Sequence, residues 1–479
     1  MQNDPLWQDA NKYFQSGEIK RTSIVLQNIL AKDRYDMSAR INLLNCFSAL
    51  NELILLMGLI KESIDLYPDS LRFISNYLFC LNYFEINRGI HFNEHKRVFE
   101  NYLKLQGPGD FILPNLPKNR SIDSQRIRVG YVSGDLHEHS CTYLTIPLLR
   151  HHNKNDFEIF VYSNLSHNDK ITDDLKSLGV TWVDISNMTN REAAEVMAKD
   201  SIDILVDLSG HTVANRLGIF LYRPAPIQMS WYGYLNTTGV PQIDYRITDP
   251  MLSPEGMGNE KYYTEKLLRI PRCFLYEPPA TVPPVALPAY KKNGYFTFGA
   301  LHDMKKISNT TLDLWSSILK QLPSSKLMFS IEKEGDIASV IEARFTSRGI
   351  PKSQLILIPR VPIEQFFYLF KDIDIMLDTF PYTSGVSAMH ALWMGVPTLT
   401  IEGETELFRN CAAVMKWSGY PEFIAQDASQ FINKAVYYHN NPARLAEIRR
   451  ICREKPLVDN KAVVASIENK YKEIIKNSK

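Results

Sequence analysis

Four stretches of the chain place chemically capable side chains just past the ends of apolar runs. GYVSGDLHEHSCTYL sets Asp135, His137 and His139 directly after a run that reads as a strand. A histidine at such an edge can act as a base or orient a substrate hydroxyl. DLSGHTVANRL places His211 after another run, making two strand-end histidines in one half. FGALHDMKKISNTTLDLW follows a strand end near Ala300 with His302, Asp303, Lys305 and Lys306, and a helix opens near Ser308–Asn309. A lysine there can neutralise a diphosphate leaving group, or belong to a solvated pair. IDIMLDTFPYTSGVSAMHALWMGVP runs from a strand ending at Asp378 through Ser384 and Gly385 into a helix from about Val386. Free amides at that start can hold a phosphate, with Ser384 and Ser387 adding hydroxyls. An ordinary serine-capped loop is the plain alternative.

Other patterns point away from competing chemistries. GxxxxGK[ST] and GxSxG are both absent. HFNEH (91–95) spaces two histidines four apart, but its glutamate is out of the HExxH position, so a surface or packing role is expected. DID (372–374) opens a strand rather than ending one and reads as solvated. Six cysteines without a close CxxC pair argue against a disulfide framework or a zinc site.

The elements that must position these residues follow from periodicity. The first 105 residues read as helices, with apolar residues recurring at three and four (Leu26, Ile29, Leu30). A faint repeat at offset 34 aligns Cys46 with Cys80 and Leu44 with Leu78, the period of tetratricopeptide helix pairs. The matched cysteines are expected to fill small core slots. Residues 106–125 are proline- and glycine-rich and read as a linker. Strands are predicted at 126–133, 158–164, 180–185, 203–208, 228–234 and 245–248, with helices such as 189–200 between some of them. A proline-rich connection, 277–294, interrupts the pattern. It restarts at 295–300, 326–331, 354–359, 373–378 and 397–402, and from about Gln426 the tail is helical. The fold class is therefore α/β: a helical region 1–105, a first doubly wound half 126–276, a second half 295–425 and C-terminal helices 426–479. Ligands of such sheets sit at the carboxyl ends of strands, so the cleft between the halves is the expected site.

Composition narrows the function classes. Lys+Arg number 54 and Asp+Glu 53, so the net charge of +1 supplies no global field for nucleic acid or an anionic membrane. No charge-free window of 18 apolar residues occurs, so no membrane span is expected. The first residues lack a basic start and an apolar core, and a cytoplasmic location follows as the expectation.

Three blocks carry a family resemblance: RIRVGYVSGDLHEHS (126–140), DLSGHTVANRLGIFLYRPAPIQMSWYGYLNTTGVPQIDYRITD (207–249) and LDTFPYTSG…ALWMGVPTLTIEGE (377–404). Together with SNYLFCLNYFEINRGIHFNEHKRVFENY (75–102), they resemble glycosyltransferase family 41, the bacterial SPINDLY and O-linked N-acetylglucosamine transferase proteins, from about residue 70 onward. The resemblance implies a GT-B fold of two Rossmann-like halves behind tetratricopeptide-like helices. It implies an inverting, metal-independent transfer of N-acetylglucosamine or a related hexose from a nucleotide-sugar to a hydroxyl, chiefly protein Ser/Thr. No cofactor is implied, because the UDP-sugar is a substrate. The family's catalytic lysine falls on Lys306, its active-site histidine on His139 and the preceding acid on Asp135, with His211 a further catalytic candidate. Its diphosphate contact falls on Ser384, Gly385, Val386, Ser387 and Ala388, and the central block puts Tyr234, Thr237 and Thr238 on the acceptor side.

Departures from the family concentrate on the donor side. Val386-Ser387-Ala388 stands where a threonine run is usual, His390 where a ribose-binding Asp is usual, and His302-Asp303 where a basic or amide-rich pair is expected. Phe366 replaces a donor-side histidine and can stack on a base or fill the core. These departures leave open a different nucleotide or sugar, or an inactive repeat-containing scaffold, and the short helical region leaves open a polysaccharide or small-molecule acceptor. The helical region holds about two repeats, fewer than an independent solenoid needs, so it is expected to dock as a cap.

Overall fold

The computed structural model describes residues 4–107, 109–113, 126–331, 336–454 and 456–477. The linker expected at 106–125 lies mostly outside the described residues.

Six helices open the chain: α1 (Pro5–Gln15), α2 (Ile19–Lys32), α3 (Met37–Ala49), α4 (Leu53–Leu66), α5 (Leu71–Leu81) and α6 (Arg88–Gln106). Their starts follow capping chemistry: the side chains of Asp4, Asp36, Ser70 and Asn87 accept amide hydrogens of α1, α3, α5 and α6. The bounds of α2 and α4 are offset by 34 residues, as are the starts of α3 and α5. Cys46 and Cys80 are both buried, as the repeat predicts.

The first sheet comprises β1 (Ile127–Ser133), β2 (Phe157–Ser163), β3 (Thr181–Asp184), β4 (Ile204–Asp207), β5 (Ile227–Ser230), β6 (Tyr245–Thr248) and β7 (Lys266–Arg269), in the order β3-β2-β1-β4-β5-β6-β7. The second comprises β8 (Thr297–Ala300), β9 (Lys326–Ile331), β10 (Leu355–Pro359), β11 (Ile375–Leu377), β12 (Thr398–Ile401) and β13 (Ile424–Ala425), ordered β10-β9-β8-β11-β12-β13. Neighbours pair in parallel throughout both sheets. Strands β4, β5, β8 and β12 are buried at every position, so they lack the alternation of a half-exposed strand, and even their polar residues Asp207, Gln228, Thr297 and Thr400 are enclosed.

The strands differ from expectation at three places. β7 (KLLR) and the two-residue β13 carry too little apolar pattern to be read in advance. β5 stops at Ser230 instead of running to 234. There the chain folds against its neighbour so closely that a Cβ on Gly233 would lie 1.8 Å from the Leu208 carbonyl oxygen. Asp374, expected to be solvated, is wholly buried and accepts the amides of Tyr290 and Thr297.

The cap is not a free-standing solenoid. Its core residues, among them Phe73 and Ile74, form one cluster with Val132, Phe160 and Leu205 of the first sheet. The last helix, Asn460–Asn477, crosses back to the first half, where Glu468 accepts His152 Nδ1–H at 2.9 Å and Tyr471 meets Tyr131 at 3.3 Å. Among the described residues no helix is long and apolar enough to cross a membrane.

Candidate active site

A cleft of about 700 Å³ opens where the carboxyl ends of β1, β8, β9 and β10 face the start of the helix Val386–Trp393. Both sheets reverse strand order here, β1 against β4 and β8 against β11, which is where a doubly wound sheet leaves a crevice. His139, His302, Asp303, Phe366, Val386, Ser387 and His390 all line it.

From the first half, the turn after β1 presents His139 beside Asp135, with Nδ1 and Oδ1 4.0 Å apart. Burial pushes the Asp135 carboxyl up, against the pull of His139, and pushes the His139 imidazole down, against Asp135. His139 Nδ1 accepts the Cys141 amide at 3.3 Å. A neutral ring with that bond carries its proton on Nε2, so it presents a donor to the cleft.

From the second half, the turn Met304–Lys306 is capped by Asp303, whose Oδ1 accepts the Lys305 amide at 3.0 Å. Lys306 Nζ lies over the Tyr382 ring, 3.9 Å from its centroid. Tyr382 in turn stacks on Tyr83 of the cap at 5.8 Å. Burial pushes the Lys306 ammonium down, opposed by Asp303 and Asp378. His302 Nε2–H donates to the Leu377 carbonyl at 2.8 Å. Its buried Nδ1 is left as an acceptor with no hydrogen-bond partner among the described residues.

One end of the cleft is built by the loop between β11 and the helix Val386–Trp393. Asp378 braces this loop by accepting the Ser384 amide at 2.9 Å and the Thr400 hydroxyl at 2.6 Å. Gly385 is the helix N-cap, and a Cβ there would lie 2.5 Å from Asn410 Nδ2. Ser384 and Ala388 are buried behind the surface that Val386 and Ser387 present. Free amides of this first turn supply anion-binding donors.

His390 replaces a carboxylate with an aromatic arrangement. Its Nδ1 accepts the Tyr276 hydroxyl at 2.8 Å, and its ring packs edge-on against Tyr143 at 4.7 Å. Burial pushes His390 down to about 3, so it is neutral and offers Nε2–H. Phe366 is half-buried on the cleft wall, perpendicular to Phe370 at 5.3 Å.

Asp135, Lys306, Ser384, Gly385 and Ala388 are not among the residues that line the cleft, and neither are four residues of the first half. His211 is buried under the cap: Nε2–H donates to the Thr238 carbonyl at 2.8 Å and Nδ1 accepts the Ser75 hydroxyl at 3.1 Å. With both nitrogens engaged it has none left for a substrate, which corrects its expected catalytic part. Tyr234 is equally enclosed, bonded to His95 Nε2 at 2.7 Å. Thr237 and Thr238 are wholly buried and give their hydroxyls to Glu265 at 2.7 and 2.5 Å. These three therefore brace the first half from within. Sequence reasoning passed over Tyr143 and Tyr382, although both lie inside the quoted stretches, because an aromatic there reads equally as core, and over Tyr276 and Arg360, which stand in no motif.

A second cavity of about 500 Å³ lies where the cap meets both halves, lined by Asn82, Arg88, Asn236, Tyr262 and Glu404, and it reaches Pro381 of the phosphate loop.

The family model for glycosyl transferase family 41 matches residues 113–278 and 291–465. The chain is 30% identical over 427 residues to the probable UDP-N-acetylglucosamine–peptide N-acetylglucosaminyltransferase SPINDLY of Solanum lycopersicum, covering 85% of this chain and 44% of that protein. The SPINDLY protein of Arabidopsis thaliana matches equally, at 30% identity over 85% of this chain and 45% of its own. The chain thus spans less than half the length of these curated relatives. The solved structure of a lysine-to-methionine variant of Thermobaculum terrenum O-GlcNAc transferase superposes with a TM-score of 0.87 at 29% identity, covering 97% of this chain and 89% of that one. Two parallel α/β halves behind a short helical cap, facing each other across a strand-end cleft, give the GT-B fold expected from the sequence. The sequence match runs through both halves, and the chain belongs to glycosyltransferase family 41.

Proposed function

We propose that the chain is an inverting glycosyltransferase that moves a sugar, N-acetylglucosamine or a related hexose, from a UDP-sugar to a protein Ser/Thr hydroxyl. The observation that carries this reading is the cleft itself: His139, His302 and the helix start at Val386 and Ser387 converge on one space in a chain of this family, and Lys306 belongs to the same turn as the lining residues Asp303 and Met304. The named relatives act on UDP-N-acetylglucosamine and peptides, which supports the donor and acceptor class.

In the proposed reaction the hydroxyl oxygen attacks the anomeric carbon as the bond to the diphosphate breaks. The electron pair leaves with the nucleotide. Lys306 and the amides of Val386 and Ser387 meet the charge that develops there, with no cofactor in the scheme. His139, holding its proton on Nε2, donates a hydrogen bond and orients a substrate, and the hydroxyl proton passes to a phosphate oxygen of the donor. His302 Nδ1 accepts a hydroxyl of the donor, and Phe366 on the cleft wall supports its base. The six free cysteines, five of them buried, fit work in a reducing cytoplasm.

The test pairs thermal shift with intact-protein mass spectrometry. UDP or a UDP-sugar at a hundredfold excess over Kd stabilises the native state by about 2.7 kcal/mol. Incubation of donor with candidate acceptor proteins then yields a hexose-sized mass increase. Stabilisation by no nucleotide, or turnover of donor without any protein product, overturns the reading.

A further inference from the structure

The turn after β1 carries one more arrangement. A carboxylate oxygen of Asp135, an imidazole nitrogen of His139 and the sulfur of Cys141 lie within 4.8 Å of one another. We propose that Asp135, His139 and Cys141 form a binding site for a zinc-like divalent cation, and that its occupation blocks the cleft.

The three residues sit at positions i, i+4 and i+6 of a single turn, and their main chain is already fixed. Ser133 Oγ accepts the Asp135 amide at 3.0 Å. The His139 carbonyl accepts the amide and hydroxyl of Thr142, at 3.1 and 2.5 Å. The Cys141 carbonyl accepts the amides of Leu144 and Thr145, each at 3.0 Å. Only side-chain rotation remains. Tetrahedral zinc with bonds of roughly 2.0–2.3 Å holds its ligand atoms roughly 3.3–3.8 Å apart. Asp135 Oδ1 and His139 Nδ1 stand at 4.0 Å, so an ion draws the group inward by a fraction of an ångström.

The donor set selects the ion. One carboxylate, one imidazole and one thiolate suit Zn²⁺ or Co²⁺, whereas Mg²⁺ wants an octahedron of oxygens. Three protein ligands leave the fourth position to water. Cys141 is the one cysteine of the six that is not buried, and it caps the helix Thr142–His151, whose dipole favours a thiolate. A thiol gives up its proton when a cation binds its sulfur, so occupation releases a proton. Occupation also captures the His139 nitrogen that now accepts the Cys141 amide, and so ties to the cation a side chain that lines the cleft. That loss of turnover rests on the transferase reading; the binding does not.

The experiment is a Co²⁺ titration of the full chain without nucleotide, followed by absorbance. The expected result is a thiolate-to-cobalt charge-transfer band with the visible bands of a four-coordinate ion, saturating at one Co²⁺ per chain and erased by Zn²⁺ but not by Mg²⁺. Cys141→Ser, checked for folding by circular dichroism, loses the charge-transfer band. Asp135→Asn keeps the band and weakens Zn²⁺ by about tenfold or more, the scale on which even outer partners of metal ligands act. No such band in the parent chain, or a band that survives in folded Cys141→Ser, overturns the site. Zn²⁺ that binds with this signature yet leaves turnover unchanged overturns the blocking role. A metal-free chain that turns over no donor counts against the proposed function and leaves the site standing.

Discussion

Arg246 on β6 and Glu406 at the start of the helix Glu406–Trp417 join the two halves with neither side chain more than 1% exposed. The guanidinium donates through Nε and Nη2 to Oε2 at 2.9 and 2.7 Å. The other carboxylate oxygen accepts the hydroxyls of Thr248 and Ser253 at 2.5 and 2.8 Å. Four groups of the first half thus converge on one carboxylate of the second. The pair fixes the spacing across which the His139 turn faces the helix start at Gly385, because β6 and that second-half helix belong to the sheets that carry those residues.

Glu406→Gln is expected to destabilise the chain by about 3–5 kcal/mol, because it leaves a buried guanidinium without its counter-charge. The double replacement Arg246→Met/Glu406→Leu removes both charges and is expected to recover most of that loss. Urea unfolding of the parent, the single and the double variant measures both. A single variant as stable as the parent shows that the pair is not the bolt described.

His211 bears on pH dependence. Burial pushes His211 and His91 down to about 4, and His95 well below its ordinary value. The rings of His91 and His95 stack at 5.0 Å, and His95 meets His211 at 5.7 Å, all at the seam between cap and first half. The unfolded chain protonates these histidines near pH 6.5, whereas the folded chain does not until about 4. Between those values the unfolded state binds more protons, so stability falls as pH falls, by about 1.4 kcal/mol per pH unit for each histidine. His211→Gln removes one such contribution and flattens the curve between pH 6.5 and 4. Stability measured across that window checks the slope, and kcat of the folded variant at pH 7.5 is expected to match the parent.

How legible the site was depended on what each residue answers to. The loops that carry His139, Lys306 and Gly385 were readable because each follows the end of an apolar strand, a local and periodic signal, whereas the roles given to Lys306 and His139 came only from the family resemblance. Tyr234, Thr237 and Thr238 lie in an equally specific block, yet their side chains serve Glu265 and His95, partners 139 residues away in the case of His95 and Tyr234. Specificity of sequence marked importance there without saying whether it was chemistry or support. His211 shows the same limit: only the arrival of Ser75 from the cap reveals that its second nitrogen is spent. Edge strands β7 and β13 were missed for the opposite reason, since short half-exposed or two-residue strands leave no periodicity to read.

Gly385→Ala separates donor binding from fold. The added methyl group meets the end of the Asn410 side chain at 2.5 Å, not main chain, so the loop shifts rather than unfolds. A displacement approaching 1 Å at a reacting centre costs up to about 10²-fold. The expected outcome is weaker nucleotide binding and slower turnover with unfolding within a few degrees of the parent. Isothermal titration with UDP and a thermal melt check the two halves of this statement. By contrast, a Cβ at Gly134 would lie 2.5 Å from the Ala214 carbonyl, so Gly134→Ala is expected to fail in folding.

Lys306 supplies the sharpest test of the mechanism, because its ammonium is held on the face of Tyr382, 3.9 Å from the ring centroid. A cation held on an aromatic face gains about 0.5–2 kcal/mol, enough to fix its position while leaving its hydrogens for a ligand. Lys306→Ala therefore costs little stability, and removing the charge that meets the departing diphosphate lowers kcat by about 10²–10³. Tyr382→Phe keeps the ring and is expected to retain parental turnover. Tyr382→Leu removes the face that holds the ammonium and is expected to fall between the parent and Lys306→Ala. Steady-state kinetics of the three variants rank these effects. If Tyr382→Leu loses as much as Lys306→Ala while the lysine still protects the chain thermally in the presence of UDP, the ring itself, and not the placement of the charge, is what the reaction requires.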